Sequence, residues 1–239
     1  MAEPPVAAPA RIARFGRSER VAHWSLAIAF GVLAATGAAL YFPSLALLLP
    51  RPQAKAIHLD AAIGLGVALV AVVVFGDRRA LRRTARDLDG FTRDEVRFVT
   101  GAAGRAWHGE PTPPQGRFNG GQKLNAAVTL GLMVVLAASG FLLWYGERDT
   151  RFRFAGSVHV HDIATMVVLL LVCGHLYLAL FNPGTREALD GMTRGDVDRG
   201  WARTHHPRWV AEVEAAEAQG RAETTSALPA GSRTSPSAP

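Results

Sequence analysis

Apolar positions along this chain gather into four uninterrupted blocks, with the charges collected between them. The blocks cover His23–Phe42, Ile57–Gly76, Leu124–Tyr145 and Val158–Phe181. Each holds about 20 residues, which as a helix spans about 30 Å, the thickness of bilayer hydrocarbon. A helix in a soluble bundle carries a polar stripe on its outer face. The runs LGVALVAVVVF and MVVLLLVC carry none. Gly and Ala recur within the blocks, as in closely packed membrane helices. The pattern predicts an all-α fold, an integral membrane four-helix bundle over residues 21–210. A basic arm (1–20) precedes it and a polar, disordered tail (211–239) follows it.

Composition changes this picture little, because 49% hydrophobic residues is ordinary even for a soluble protein. Charge adds more. The net charge of +6 could suggest nucleic acid, but the arginines flank apolar spans, so no nucleic-acid partner is expected. Four arginines (Arg11, Arg14, Arg17 and Arg20) precede the first span. Ten Lys or Arg lie between spans two and three, from Arg78 to Lys123, and seven follow span four, from Arg186 to Arg233. The other two loops hold only five: Arg51, Lys55, Arg148, Arg151 and Arg153. The positive-inside rule then places both termini and the long middle loop of this multi-pass membrane protein in the cytoplasm. The three arginines at 148, 151 and 153 run against the rule and suggest a partner on the outer side.

Within the middle loop, Thr92 followed by Glu95 is a capping-box pattern that starts a short helix. The loop is also the one basic amphipathic segment that could lie on the membrane surface. The N-terminal segment contains no apolar core of the signal-peptide kind, and the chain shows no internal repeat.

Ionisable side chains inside a membrane span are costly and mark function. His23 opens span one at the inner face, and His58 opens span two at the outer face. His161 lies near the outer start of span four, with His175 deeper in the same helix. The 14 residues between the last two correspond to about 21 Å along the axis and about 40° around it. They therefore share one face at two depths. Imidazole is a common axial ligand of haem iron, and an electron-transfer haem needs two ligands on opposite sides. Depth then pairs His23 with His175 and His58 with His161, giving two haems stacked across the bilayer.

His159 competes with His161 but falls on the opposite face from His175, at the outer surface. The lone cysteine, Cys173, rules out an intrachain disulfide, and no Cys-x-x-Cys-His attachment exists, so the haems are held noncovalently. Gly37, Gly64, Gly66, Gly140 and Gly174 could admit a flat macrocycle or simply allow close helix packing. A metal transporter would use intramembrane histidines differently, bringing carboxylates, cysteines or methionines into the same layer. Only Asp60 and Asp162 are near, at the outer edge.

The turn Arg117–Lys123 precedes span three on the side of the His23–His175 pair. Its glycines permit close backbone approach. Asn119 and Gln122 each offer a donor and an acceptor, which suits the carbonyl oxygens of a quinone. It could equally be an interfacial loop with Lys123 snorkelling.

Four stretches, FGRSERVAHW, RFNGGQKLN, HVHDIATMVVLLLVCGHLYLAL and NPGTREALDGMTRGDVDRGWARTHHPRW, carry a resemblance to a known family. From about Arg14 to Trp209 the chain resembles the gamma, or cytochrome b, subunit of respiratory formate dehydrogenase. The second and fourth stretches are the specific ones; the others are shared with hydrogenase-type cytochromes b. The resemblance implies four membrane helices and two haem b groups, with His23 and His175 on the inner haem and His58 and His161 on the outer. It implies menaquinone or ubiquinone at a site formed by Asn119, Gly121 and Gln122 with His175 behind them. It further implies an iron–sulfur beta subunit and a molybdenum- or tungsten-containing alpha subunit as partners. The paired His205 and His206 are expected to pack the tail against the bundle or a partner. The alternatives are the cytochrome b of a nickel–iron hydrogenase and, in a different class, a haem-free anchor or metal transporter.

Overall fold

The computed structural model describes residues 10–102, 104 and 111–227. Four helices in it are long and apolar enough to cross a membrane. They are α1 (Arg17–Tyr41), α2 (Arg51–Phe75), α5 (Gly120–Gly146) and α6 (Ser157–Leu176). The last continues through a π turn at Tyr177–Phe181. The helices begin earlier than the apolar blocks in the sequence suggest: polar side chains close the first turns of α1 and α5, and Pro52 sits in the first turn of α2. In α1 the Glu19 carboxylate accepts from the Gly16 backbone N–H at 2.5 Å. In α5 the Asn119 side chain accepts from Gln122 N–H, and the Gln122 side chain accepts from Asn119 N–H. These reciprocal bonds satisfy donors that a helix start leaves open. As a result His23 and His58 lie about two turns inside their helices, not at their openings.

The backbones of α1 and α2 pack along each other, as do those of α5 and α6, while the two hairpins stand further apart. Large apolar side chains point outward from all four helices, among them Phe75 (86% exposed) and Leu170 (73%). An outward apolar surface of that kind, on helices long enough to cross a bilayer, is that of a membrane-spanning bundle. On the Lys55 side, Lys55 pairs with Glu147 and joins the start of α2 to the end of α5. Two of the arginines that break the charge pattern have partners within the chain. Arg148 lies 4.4 Å over the Trp144 ring and Arg151 pairs with Asp149 at 3.5 Å.

The buried apolar core lies outside the bundle, in a cap at its opposite end. Strand β1 (Arg11–Ala13) pairs antiparallel with β2 (Asp196–Asp198), with Ile12 opposite Val197. These two residues pack with Ala202, Trp209 and Val210. Helices α3 (Arg78–Leu88), α4 (Arg93–Thr100), α7 (Ala188–Thr193), α8 (Arg199–His205) and α9 (Pro207–Ala227) complete the cap. The capping box expected at Thr92 and Glu95 is present at the start of α4.

In the described part of the basic arm Arg11 pairs with Asp190 at 2.7 Å and Asp196 at 2.6 Å, and β1 has a strand partner. One expectation about the ends is corrected. The tail expected to be disordered from 211 is helical to Ala227. Trp209 and Val210 anchor it in the core, and Arg199 and Arg203 pair with Glu214 and Glu217 along it. Its Ala and Glu content, read as low hydrophobicity, is also high helix propensity. Residues 1–9 and 228–239, the remainder of the expected arm and tail, lie outside the described residues.

Candidate functional site

Helix α6 carries His161 and His175 at two depths, and each meets a histidine of the other hairpin. The ring centres of His23 and His175 are 6.2 Å apart, with their planes 58° apart. Those of His58 and His161 are 6.3 Å apart, with their planes 62° apart. Two imidazoles held by one metal ion at about 2.0–2.1 Å per bond have ring centres roughly 6 Å apart. Both pairs therefore fit a single iron between them. His23 with His175, and His58 with His161, would hold such an iron between the two hairpins, and a haem iron there would supply one-electron transfer. Among the described residues no three His, Cys, Asp or Glu side chains converge as a metal cluster. His159 is exposed, on the far side of α6 from its neighbour at 161.

The environment of the His58–His161 pair is built twice over. Thr36 Oγ1 lies 2.9 Å from His58 Nδ1, and Ser139 Oγ lies 3.0 Å from His161 Nδ1. Each hydroxyl has one proton, and each donates it to a carbonyl four residues back, Val32 or Val135, at 2.7 Å. The hydroxyl oxygen must then accept from the ring, which makes Nδ1 the protonated nitrogen and leaves Nε2 as the ligating one. Beside each hydroxyl is a glycine facing the same ring. A Cβ on Gly37 would lie 3.6 Å from His58 Cε1, and one on Gly140 would lie 3.4 Å from His161 Cε1. Gly64, Gly66 and Gly174 meet nothing within 4 Å. Both hydroxyls precede their histidine by 22 positions. Sequence reading missed Thr36 and Ser139. The only signal was a hydroxyl–glycine dipeptide at the same distance before a histidine in each hairpin. At the other pair, His23 Nδ1 is buried with no hydrogen-bond partner among the described residues.

The turn before α5 is held from below by the cap. Lys123 Nζ donates to Glu95 at 3.0 Å and to the Gly90 carbonyl at 3.2 Å. Burial opposes ionisation of Glu95. Hydrogen bonds from the Thr92 backbone and Lys123, with the charges of Lys123 and Arg208, nevertheless hold its pKa below the ordinary carboxylate value. Lys123 is thus a buried clamp and not a snorkelling residue. A Cβ on Gly120 would come within 2.3 Å of the Glu95 carbonyl oxygen, so only glycine permits the approach of α4 to α5. At Gly121 the nearest atoms to a Cβ are Asn119 Oδ1 at 3.4 Å and Phe98 Cε1 at 3.7 Å, which leaves room beside the turn. The capping box engages the side-chain oxygens of Asn119 and Gln122 and leaves their amide nitrogens as donors. No hydrogen bond or ring contact joins this turn to His175 among the described residues.

His205 and His206 are not a metal site. The His205 ring stacks on Trp201 with centres 4.7 Å apart. His206 is buried and donates from Nδ1 to the Gly116 carbonyl at 2.7 Å, while its Nε2 accepts from Arg14 at 3.2 Å. Burial, and then the Arg14 charge, push its pKa down to about 3. Arg14 is lowered to about 9 by burial and by the neighbouring Arg117. These contacts tie the segment before α9 to the turn before α5, as expected of a packing role.

Comparison with known proteins identifies the family of the chain. The chain is 29% identical over 211 residues to the formate dehydrogenase cytochrome b556(fdo) subunit of Escherichia coli, covering 84% of this chain and 93% of that protein. It is 27% identical to the nitrate-inducible formate dehydrogenase cytochrome b556(Fdn) subunit of the same organism, covering 86% and 93%. It is 28% identical to the formate dehydrogenase cytochrome b556 subunit of Haemophilus influenzae, covering 84% and 83%. Residues 14–195, which contain all four paired histidines and the turn before α5, match the prokaryotic cytochrome b561 family, and the chain belongs to that family of b-type haem proteins.

Proposed function

We propose that this chain is the diheme cytochrome b subunit of a membrane-bound formate dehydrogenase. It takes electrons from an iron–sulfur subunit and delivers them to a membrane quinone, menaquinone or ubiquinone. The observation that carries this reading is the meeting of four histidines in two pairs, each with ring centres close enough that the two imidazoles would hold one haem iron between them. The choice of formate dehydrogenase over a hydrogenase rests on the relatives, which are named as subunits of that enzyme. Oxidation of formate would belong to a molybdenum- or tungsten-containing partner.

When bound, each b haem supplies reversible one-electron transfer at its iron. The chain's own residues decide where this occurs. His58 and His161 hold the outer position, and His23 with His175 hold the inner. Their separation on α6 sets a span of about 21 Å. The amide nitrogens of Asn119 and Gln122 donate to a quinone carbonyl, Gly121 leaves space for the ring, and His175 stands on the bundle side of that site. The arginine-rich cap and both termini face the cytoplasm of the inner membrane, and quinol protons come from that side. Charge moved inward this way works against the membrane potential at about 2.3 kcal/mol per charge per 100 mV, so the reaction conserves energy.

The test is a haem count by pyridine hemochromogen on the purified chain, followed by addition of formate to membranes holding the whole complex. Two b haems per chain, both reduced by formate and reoxidised by added quinone, support the proposal. A well-folded chain with no haem sinks it in favour of an anchor or transporter. Haems reduced by hydrogen but not by formate would reassign the partner.

A further inference from the structure

The two hairpins place the same small device behind both rings of the outer pair, while His23 of the inner pair has none among the described residues. Thr36 and Ser139 each accept from a histidine Nδ1–H while their own proton is spent on a carbonyl one turn back. Each sits beside a glycine that faces the same ring. At the inner pair, His23 Nδ1 is buried without any acceptor among the described residues. We infer that Thr36 and Ser139 are positioning residues that fix the tautomer of the outer ligands and set the outer haem at a lower reduction potential than the inner one.

The physical reason is that a metal-bound imidazole whose far N–H donates to an oxygen is the more basic ligand and is held in orientation. A more electron-rich ligand stabilises ferric over ferrous iron, and such hydrogen bonds are among the levers that tune a haem. An outer haem with two anchored ligands and an inner haem lacking an acceptor at His23 differ in that direction. The difference makes transfer from the outer to the inner side downhill before the membrane potential is counted. This inference rests on the proposal that the two pairs hold haem.

The experiment is an optical redox titration of the purified full chain and of Thr36→Val and Ser139→Ala, with Thr36→Ser and Ser139→Thr as conservative controls. The outer haem is identified as the one missing from His58→Ala. Removing either hydroxyl should change the oxidised-to-reduced ratio of the outer haem at fixed ambient potential by up to about tenfold in favour of the reduced form. For a one-electron couple tenfold is about 59 mV. The inner haem and the two conservative variants should stay unmoved. Loss of the outer haem in Thr36→Val with recovery in Thr36→Ser supports the same role. Unchanged outer potential and occupancy in both truncations, or equal shifts of both haems, overturns the inference while leaving the diheme reading intact. A wild-type chain without haem overturns both.

Discussion

The guanidinium of Arg117 lies 2.5 Å from the carboxylate of Glu19, and both side chains are almost wholly buried. The pair joins the turn before α5 to the first turn of α1. Arg117 also donates to the Arg14 carbonyl at 3.0 Å and to Asp87 at 3.0 Å, while Thr84 donates to Glu19. A buried pair of this kind is costly to assemble, but removing one partner strands the other charge, typically at about 3–5 kcal/mol. Arg117→Met should therefore lower the thermal midpoint of the detergent-solubilised protein sharply. Adding Glu19→Gln should recover part of that loss, since the stranded carboxylate is then neutral. A single variant as stable as wild type would show that the pair contributes nothing.

His58→Ala should remove one haem per chain and spare the other, and His175→Ala should do the converse. The reason is geometric: each α6 histidine meets a different partner, at 6.3 and 6.2 Å between ring centres. A haem count by pyridine hemochromogen checks it. Retention of both haems in either variant would show that the histidines are paired differently.

Adjacent glycines in the turn before α5 should respond in opposite ways. Gly120→Ala puts a methyl against the Glu95 carbonyl, where nothing can give but backbone, so α4 must separate from α5. Overpacking of that sort costs about 1–3 kcal/mol or more. Gly121→Ala meets only ordinary contacts. It should fold normally yet slow quinone reduction by narrowing the proposed site. Thermal unfolding and quinone-linked haem reoxidation, measured on the same preparations, separate the two effects.

His206 stabilises the cap only while neutral, as an Nδ1–H donor to Gly116 and an Nε2 acceptor from Arg14. Its pKa is about 3 in the folded protein and about 6.5 when exposed. Between those values the unfolded chain binds the extra proton, so the contribution is complete above about pH 6.5 and is lost as pH falls. Denaturation followed from pH 7 to pH 4 should show this decline. His206→Gln, which does not titrate, should remove that part of the slope and start from lower stability.

Four long apolar helices, the two-level order of the histidines, and the cap at Thr92 were legible in the sequence, because each is a local matter. Apolar block length sets a span, residue count along a helix sets depth and face, and a capping box lies within four residues. The meeting of His58 with His161 and of His23 with His175 was reachable too, since a bilayer removes most other ways to arrange them. Other features depended on distant parts of the chain. The tail read as disordered is helical because Trp209 and Val210 sit against Val197 and against Ile12 from the other end of the chain, and no local pattern announces that core. The roles of Thr36 and Ser139 were hidden for a related reason. A hydroxyl in an apolar helix satisfies itself on its own backbone, so the sequence does not reveal what else it accepts from. The apolar pattern by itself determined how many helices are long enough to cross a membrane and that the four histidines fall at two levels. Only the packing of the two hairpins decided which hydroxyl stands behind which ring, because that contact arises between helices, where side-chain direction and backbone separation are set together.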